Sequence, residues 1–216
     1  MKLFDLSQPL FDGCPHCPAH PPVKLPLIAD HPTEGWRVEL IQIASHTATH
    51  LDAPLHRLAG GKSIDQIPLE HFTGRPRVAD FTGSQPKRAI HGADLASRLK
   101  GRLAGKIVLL NTGWGLRRAH TQEWLQDSPY LSPNGAEWLI HQRIRGVGID
   151  HYSIAGSREP DNARTHEILL GAGIWVVEEL RFGPGWKRAA ARGTFQALPL
   201  LMPGFSGGPC RAVLLY

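Results

Sequence analysis

Apolar residues along the chain fall mostly in short runs that Gly, Pro and small polar residues separate. Short apolar runs bounded in this way are typical of β-strands. We predict strands at Leu3–Leu6, Trp36–Ala44, Arg77–Phe81, Lys106–Asn111, Gly146–Asp150, Ile174–Leu180, Thr194–Leu198 and Ala212–Tyr216. The runs KIVLLN and IWVVEEL are almost continuously apolar, which indicates strands that are covered on both faces of a sheet.

Helical signals are fewer and lie between the strands. Ser132 is suited to cap a helix that begins at Pro133, and apolar residues follow at helical spacing. Thr165 predicts the start of a second helix that ends at the glycines 171 and 173. The segment GADLASRLKGRLAG predicts a third. With no internal repeat and no linker, the pattern predicts one mixed α/β domain over residues 1–216.

Composition excludes several classes of protein. The chain has 216 residues, of which 42% are hydrophobic, so it can bury a substantial core. It has no apolar run long enough to span a membrane, and its first residues lack the apolar region of a signal peptide, so we expect a cytoplasmic protein. The net charge of +5 comes from scattered basic residues. This spacing does not predict a nucleic-acid interface.

Three cysteines raise the question of thiol chemistry. Cys14, Cys17 and Cys210 form an odd set, which argues against a disulfide framework. Cys14 and Cys17 form a C-x-x-C pair, so a redox protein is one hypothesis. The surrounding segment, GCPHCPAHPP, is rich in proline and favours a rigid extended loop in which small thiols pack.

The richest cluster of chemical groups is SHTATHLDAPLH. It places His46, His50, Asp52 and His56 within eleven residues. Neutral imidazole nitrogens and carboxylate oxygens are common ligands of divalent metals. A polar loop that is merely rich in histidine is the alternative interpretation, since short motifs also occur by chance.

The spacing of this cluster limits its conformation. On an extended strand, residues four apart lie about 13 Å from each other, too far to share one metal ion. A helix is disfavoured by β-branched Thr47 and Thr49 and by Pro54. We therefore predict an irregular turn after the Trp36–Ala44 strand, with small Ala48 at the bend.

Two further ligands are predicted from distant parts of the chain. His166 lies in the first turn of the second predicted helix, and Glu178 lies in the apolar strand IWVVEEL. A carboxylate in such a strand is costly to bury unless it is paired or binds a metal. Its neighbour Glu179 is expected to face the other way by strand alternation. The full set would hold one metal ion, or two that share carboxylates.

The segment HTATHLDAPLH resembles the H-x-G-T-H-x-D-x-P-x-H signature of the cyclase-like metal-dependent hydrolases, which include bacterial kynurenine formamidase and isatin hydrolase. Five further segments resemble the family in the same order: LFDLSQPLFDG, VLLNTGWG, LSPNGAEWLIHQRIRGVGIDHYSIA, THEILLGAGIWVVEEL and GGPCRAVLLY. The resemblance implies a swivelling β/β/α fold with a mixed sheet, a homodimer or homotetramer, and one or two divalent metal ions, commonly zinc or manganese.

The resemblance also implies roles for individual residues. The matching metal ligands are His46, His50, Asp52, His166 and Glu178. Asp52 and Glu178 would bridge two ions. His56 matches the histidine that serves as general acid and base, a role that suits its ordinary pKa of about 6.5. His151 is the next residue to consider for proton transfer, and no substrate-binding residue is assigned.

Two positions depart from the family pattern. Ala48 stands where the signature has glycine, and Cys17 stands where kynurenine formamidases carry an aromatic residue that stacks on the substrate. We therefore predict a hydrolase of a small-molecule substrate: an arylformamide, a cyclic amide such as isatin, or a lactone. Kynurenine formamidase activity is the first alternative. A metal-binding protein without catalysis is the second, although such a protein would not need His56.

Overall fold

The computed structural model describes every residue from Met1 to Tyr216. The strands are β1 (Leu3–Asp5), β2 (Leu27–Ala29), β3 (Val38–Glu39), β4 (His50–Asp52), β5 (Thr73–Gly74), β6 (Pro76–Asp80), β7 (Ala89–Ile90), β8 (Ile107–Asn111), β9 (Tyr130–Leu131), β10 (Gly146–Ile149), β11 (Trp175–Glu178), β12 (Thr194–Pro199) and β13 (Gly207–Leu215). The α-helices are α1 (His31–Glu34), α2 (Gly92–Arg98), α3 (Gln122–Gln126), α4 (Pro133–His141), α5 (Asp161–Gly171) and α6 (Trp186–Arg192). Short 3-10 helices cover Pro54–His56, Ile64–Gln66, Leu69–Phe72 and Trp114–Arg117.

A nine-stranded mixed sheet organises these elements. Its order is β5-β12-β13-β4-β11-β10-β8-β6, and β1 also pairs with β13. The strands β6, β8, β10 and β11 are parallel to their neighbours in that part of the sheet, whereas β4 runs antiparallel to both β11 and β13. The short strand β4 therefore lies at the junction of a parallel half and an antiparallel half.

Alternate residues of the central strands enter two separate cores. In β8, Val108 and Leu110 belong to a core that contains residues of α2, α4 and α5, whereas Ile107 and Leu109 belong to a core on the opposite face. All residues of β8 and β11 are buried. The prediction that these two runs form strands covered on both faces is confirmed.

The prediction of a long strand over Trp36–Ala44 is wrong. Only Val38–Glu39 forms a strand there, and it pairs with β2 in a separate hairpin. Trp36, Leu40 and Ile41 are exposed on this hairpin, so the apolar pattern does not mark a place in the main sheet. The sequence analysis also missed β4, because three residues with two polar side chains give no recognisable strand pattern.

The helix predictions were partly correct. Ser132 caps α4 as predicted, since its hydroxyl accepts a hydrogen bond from the Gly135 amide at 3.1 Å. The prediction that Thr165 is an N-cap is wrong: α5 begins at Asp161, and the Thr165 hydroxyl donates instead to the Leu131 carbonyl. The polar residues before Thr165 look like a loop in sequence, but they form the first turn of the helix. No helix combines the length and apolarity that crossing a membrane requires.

Candidate metal centre

The register of β4 and β11 brings three of the predicted ligands together. His50 and Asp52 are two residues apart on β4, so they share one face of the sheet, while Leu51 between them enters the core on the other face. Glu178 on β11 lies directly opposite His50. All three ligand residues are buried in the middle of the sheet. Backbone pairing alone therefore fixes their relative positions.

The remaining two predicted ligands approach the same carboxylates. His46 Nδ1 lies 2.7 Å from Asp52 Oδ1, and His50 Nε2 lies 3.4 Å from the same oxygen. His50 Nε2 is also 3.5 Å from Glu178 Oε2. His166 Nε2 lies 3.4 Å from Glu178 Oε1 and 3.9 Å from Asp52 Oδ2. The structure thus brings together all five residues, and their imidazoles surround two carboxylates.

The bend before β4 is made by Ala48. The prediction of an irregular turn with Ala48 at the bend is confirmed, but the turn leads into β4 and does not follow a long strand. Ala48 has a φ of +54°, in the left-handed region, which costs an alanine roughly 1–2 kcal/mol. Its carbonyl accepts a hydrogen bond from His50 Nδ1 at 2.8 Å. This contact leaves His50 Nε2 facing the carboxylates.

Other residues orient the ligands in the same way, and the sequence analysis did not identify them. His166 Nδ1 donates to the Asn162 carbonyl at 2.8 Å, one turn earlier in α5. His46 Nε2 lies 2.9 Å from the Ser206 hydroxyl. The Ile154 amide donates to Glu178 Oε1 at 2.6 Å. Such outer contacts fix the tautomer and direction of metal ligands. Only the Asn162 contact could have been read from sequence, because it follows from helical spacing.

The electrostatics of the cluster favour a bound cation. Burial alone would raise the pKa of Asp52 and Glu178, but the surrounding histidines outweigh it and lower both pKa values. Burial alone would lower the pKa of His166, yet Glu178 raises that pKa to about 9. The same competition raises the pKa of His50 well above its ordinary value. Two buried carboxylates therefore require positive charge beside them, and this set of oxygen and imidazole ligands fits a divalent metal ion.

His56 lies at the edge of the cluster, at the end of a 3-10 helix. Its ring centroid is 4.0 Å from that of His46 and 5.8 Å from that of His166. Burial lowers the pKa of His56, although Asp52 opposes the shift. Geometry alone groups His46, Asp52 and His56 as one set of potential ligands, and His50, Asp52 and Glu178 as another. The assignment of His56 to proton transfer, and not to metal binding, stays a prediction.

His151 is held too firmly in the interior to be an attractive substitute for His56. It is fully buried, its Nε2 donates to the Trp124 carbonyl at 2.9 Å, and its Nδ1 lies 3.0 Å from the Ser128 hydroxyl. Burial lowers its pKa to about 4. The His151 ring is therefore neutral and has partners at both nitrogens, so its role is to stabilise the loop around it.

An N-terminal loop runs beside the ligand cluster. The His20 ring centroid is 6.2 Å from that of His46, and Cys17 packs against the aromatic cluster of Trp114, Trp124 and Tyr152. All three cysteines are free thiols, and burial raises the pKa of Cys17. A buried thiol with a raised pKa is a poor nucleophile, which disfavours the redox hypothesis.

Comparison with known proteins gives consistent matches. The Cyclase family model matches residues 4–155. The kynurenine formamidase of Bordetella petrii is 29% identical over 227 residues, covering 99% of this chain and 97% of that protein. The kynurenine formamidase of Bordetella pertussis is 30% identical over 223 residues, with the same coverage.

Solved structures extend these similarities to the fold. A potential metal-dependent hydrolase with cyclase activity superposes with a TM-score of 0.79 at 28% identity, over 99% of this chain and 96% of that one. Isatin hydrolase A from Labrenzia aggregata superposes with a TM-score of 0.85 at 24% identity, over 99% of this chain and 93% of that one.

Proposed function

Because the chain belongs to the Cyclase family, as its sequence predicts, we propose that it hydrolyses a small carbonyl substrate: an arylformamide, a cyclic amide such as isatin, or a lactone. The predicted cyclase-like fold is confirmed, and so is the predicted class, a metal-dependent hydrolase that acts on amide C–N bonds. The observation that carries the proposal is the convergence of three imidazoles on two buried carboxylates.

The residues of the cluster divide the chemical work. His46, His50, Asp52, His166 and Glu178 would hold one or two divalent ions, and we propose zinc or manganese. A divalent ion at such a site lowers the pKa of water to about 7 and polarises a carbonyl group. Asp52 contacts His46, His50 and His166, and Glu178 contacts His50 and His166, so these two carboxylates would be shared if two ions bind.

His56 is proposed as the general acid and base. Its ring lies at the open edge of the cluster, where it can exchange protons with a substrate and with solvent. Hydrolysis of an amide needs a proton for the departing nitrogen, and a histidine at the edge of the site is suited to deliver it. A protein that only binds metal would not need this additional histidine.

Kynurenine formamidase activity is the second candidate. The observation in its favour is the identity of 29–30% with two enzymes of that name along nearly the whole chain. The observation against it is Cys17, which lies near the cluster and offers a thiol in place of an aromatic ring. N-formylkynurenine therefore belongs in the substrate screen beside simpler formanilides, isatin and lactones.

We also propose a homodimer or homotetramer. The β2–β3 hairpin exposes the apolar side chains of Leu27, Ile28, Trp36, Val38, Leu40 and Ile41. A groove of about 1300 Å³ is lined in part by residues 47–49, and exposed Phe11 and Leu200 contribute to its lining. Extended apolar surface of this kind typically marks an interaction site. Light scattering of wild-type protein and of Trp36→Ser would test whether the hairpin joins copies of the chain.

A cytoplasmic location stays a prediction.

The central test combines metal analysis with hydrolysis. Purified protein is expected to contain one or two equivalents of a divalent metal, and a chelator should abolish hydrolysis that added zinc or manganese restores. The screen would compare formanilides, N-formylkynurenine, isatin and lactones at equal concentration. Active protein that contains no metal would contradict the proposal. Preference for N-formylkynurenine over all the others would favour the second candidate.

A further inference from the structure

The N-terminal loop, defined here as residues 9–20, has little regular structure and lies against the site. Within it, the Cys14 amide donates to the Phe11 carbonyl and the His20 amide donates to the Cys17 carbonyl. The Gly13 amide donates to the Val23 carbonyl. These few local bonds do not tie the loop to the sheet. Its position beside His46 therefore needs anchors outside the loop. Two of them are the packing of Cys17 against Trp114 and Trp124, and the hydrogen bond that His120 Nε2 donates to the Gly13 carbonyl at 2.8 Å.

Arg118 supplies such an anchor. Its Nη1 donates to the Pro9 carbonyl at 2.7 Å, and its Nη2 donates to the Pro15 carbonyl at 2.6 Å and contacts Cys14 Sγ at 3.4 Å. The guanidinium thus contacts both ends of the segment between Pro9 and Pro15. Its side chain is only 6% exposed, so the burial of its charge requires compensation.

Glu179 supplies the compensating charge. Its Oε2 lies 2.8 Å from Arg118 Nε, and its side chain is 1% exposed. The residue follows Glu178 at the end of β11 and has a φ of +52°. The left-handed backbone turns the Glu179 side chain away from the ligands. The sequence analysis expected the same direction but attributed it to strand alternation, and Glu179 lies beyond the end of β11.

The unusual backbone of Glu179 is fixed from both sides. Its amide donates to the His151 carbonyl at 2.8 Å, and its carbonyl accepts from the Thr49 hydroxyl at 2.6 Å. The Thr49 hydroxyl in turn accepts from the Gln8 amide at 2.8 Å. A left-handed glutamate with a buried carboxyl combines two costs, and such positions persist where the surrounding structure holds them.

We propose that Arg118 and Glu179 are positioning residues that hold the N-terminal loop against the metal centre, where the loop forms one wall of the substrate pocket. Consecutive residues of β11 and the turn after it then serve both sides of the site: Glu178 faces the ligand cluster, and Glu179 fixes the loop through Arg118. The role of the loop as a pocket wall rests on the proposed hydrolase function. The anchoring itself does not.

Two conservative variants separate the parts of the anchor. Glu179→Gln keeps the shape of the side chain and removes its charge. Arg118→Lys keeps the charge but cannot contact Glu179, Pro9 and Pro15 together, because an ammonium group is compact whereas a guanidinium is a planar fork. The matched controls are Arg117→Lys and Glu123→Gln, which alter an exposed ion pair in the same region.

Hydrogen exchange followed by mass spectrometry tests the anchoring without any substrate. In both test variants, exchange in peptides covering residues 10–20 is expected to be faster by about tenfold or more, since local opening becomes easier. Exchange in β11 and metal content should stay as in the wild type. With a substrate identified, KM should rise by about tenfold while kcat changes little, because the loop contributes binding in the ground state and the transition state alike.

The result that overturns the proposal is unchanged exchange in residues 10–20 in both folded variants. Loss of metal in Glu179→Gln would overturn it too, because Glu179 would then belong to the ligand set. If Glu179→Gln does not fold, Arg118→Lys decides alone. If no substrate is hydrolysed by wild-type protein, the proposed function fails, yet faster exchange in the variants and not in the controls would still establish the anchor.

Discussion

The metal-ligand cluster and the N-terminal loop meet at the same site, but different kinds of structure hold them. His50, Asp52 and Glu178 lie on adjacent strands in the middle of a nine-stranded sheet. The loop depends on side-chain contacts of Arg118, which reach across more than a hundred residues of sequence. The proposed metal ligands, which must keep fixed distances from one another, thus lie on the sheet. The loop, which is proposed to contact the substrate, can vary in sequence without moving them.

The largest effect is expected from changing a proposed ligand that lies on the sheet. Asp52→Asn keeps the shape of the residue but removes the charge that three histidines contact. We expect loss of most of the bound metal and a fall in kcat/KM of about 10³-fold or more, since several kcal/mol of transition-state stabilisation depend on the ion. Metal analysis and steady-state kinetics would measure both.

Glu167→Gln is a suitable control for Asp52→Asn, because this exposed residue follows His166 directly and pairs with Arg57 at the surface. It should keep its metal and its activity. Full metal occupancy in Asp52→Asn would show that the cluster is built around a different ligand.

The next largest effect is expected from changing His56, at the edge of the ligand cluster. His56→Ala is expected to keep its metal and its fold while kcat falls by about 10²–10⁴, the usual contribution of a general acid or base. Little change in KM is expected, because the lost interaction matters mainly in the transition state. Loss of metal would instead make His56 a ligand, as its position beside His46 and Asp52 also allows. Unchanged kcat would assign proton transfer to another group.

A smaller effect is expected from crowding the sheet beside the ligands. A Cβ on Gly207 would lie 2.3 Å from the Leu51 carbonyl oxygen and 2.6 Å from His46 Cε1. Gly207→Ala should therefore displace His46, weaken metal binding and lower stability by about 1–3 kcal/mol. Denaturation and metal titration would measure these changes. Gly183→Ala is the control, because its Cβ would meet nothing closer than 3.6 Å. Equal behaviour of the two variants would contradict the expected crowding.

The smallest effect is expected from the thiols of the loop. Cys14→Ser with Cys17→Ser should keep metal content and turnover, because both side chains pack and neither contacts a ligand within hydrogen-bonding distance. Serine at position 14 can still accept from Arg118. Alkylation rates and kinetics of the double variant would check this. Retained metal with complete loss of turnover would return attention to thiol chemistry.

The sequence was sufficient to predict which residues come together at the site but not the contacts that support them. His46, His50, Asp52 and His56 lie in one short motif, and Glu178 is conspicuous as a carboxylate in an apolar run. The strand β4 escaped prediction because it has only three residues, and two of them are polar side chains that are buried. The left-handed backbone of Glu179 was not predicted either, because a glutamate rarely adopts a positive φ.

Long-range contacts explain most of what the sequence could not predict. Ser206 lies 160 residues from His46, and Arg118 lies 103 residues from Pro15. Such contacts depend on the finished fold and leave no local pattern. The exposed hairpin gave the opposite error, because its apolar residues predicted a long strand of the sheet, whereas the structure leaves them exposed.

The alternation of core and ligand residues on β4 has a consequence for how the site would lose and regain a metal ion. Leu51 belongs to the core, and the same three-residue strand is bonded to β11 on one side and β13 on the other. His50 and Asp52 would therefore keep their relative positions after an ion leaves, unless the centre of the sheet separates. Binding at a hundred times the dissociation constant adds about 2.7 kcal/mol to the free energy of unfolding, which makes that separation rarer still. We expect a chelator to remove the ion without unfolding the sheet, so that added zinc or manganese binds again to ligands that are already in place.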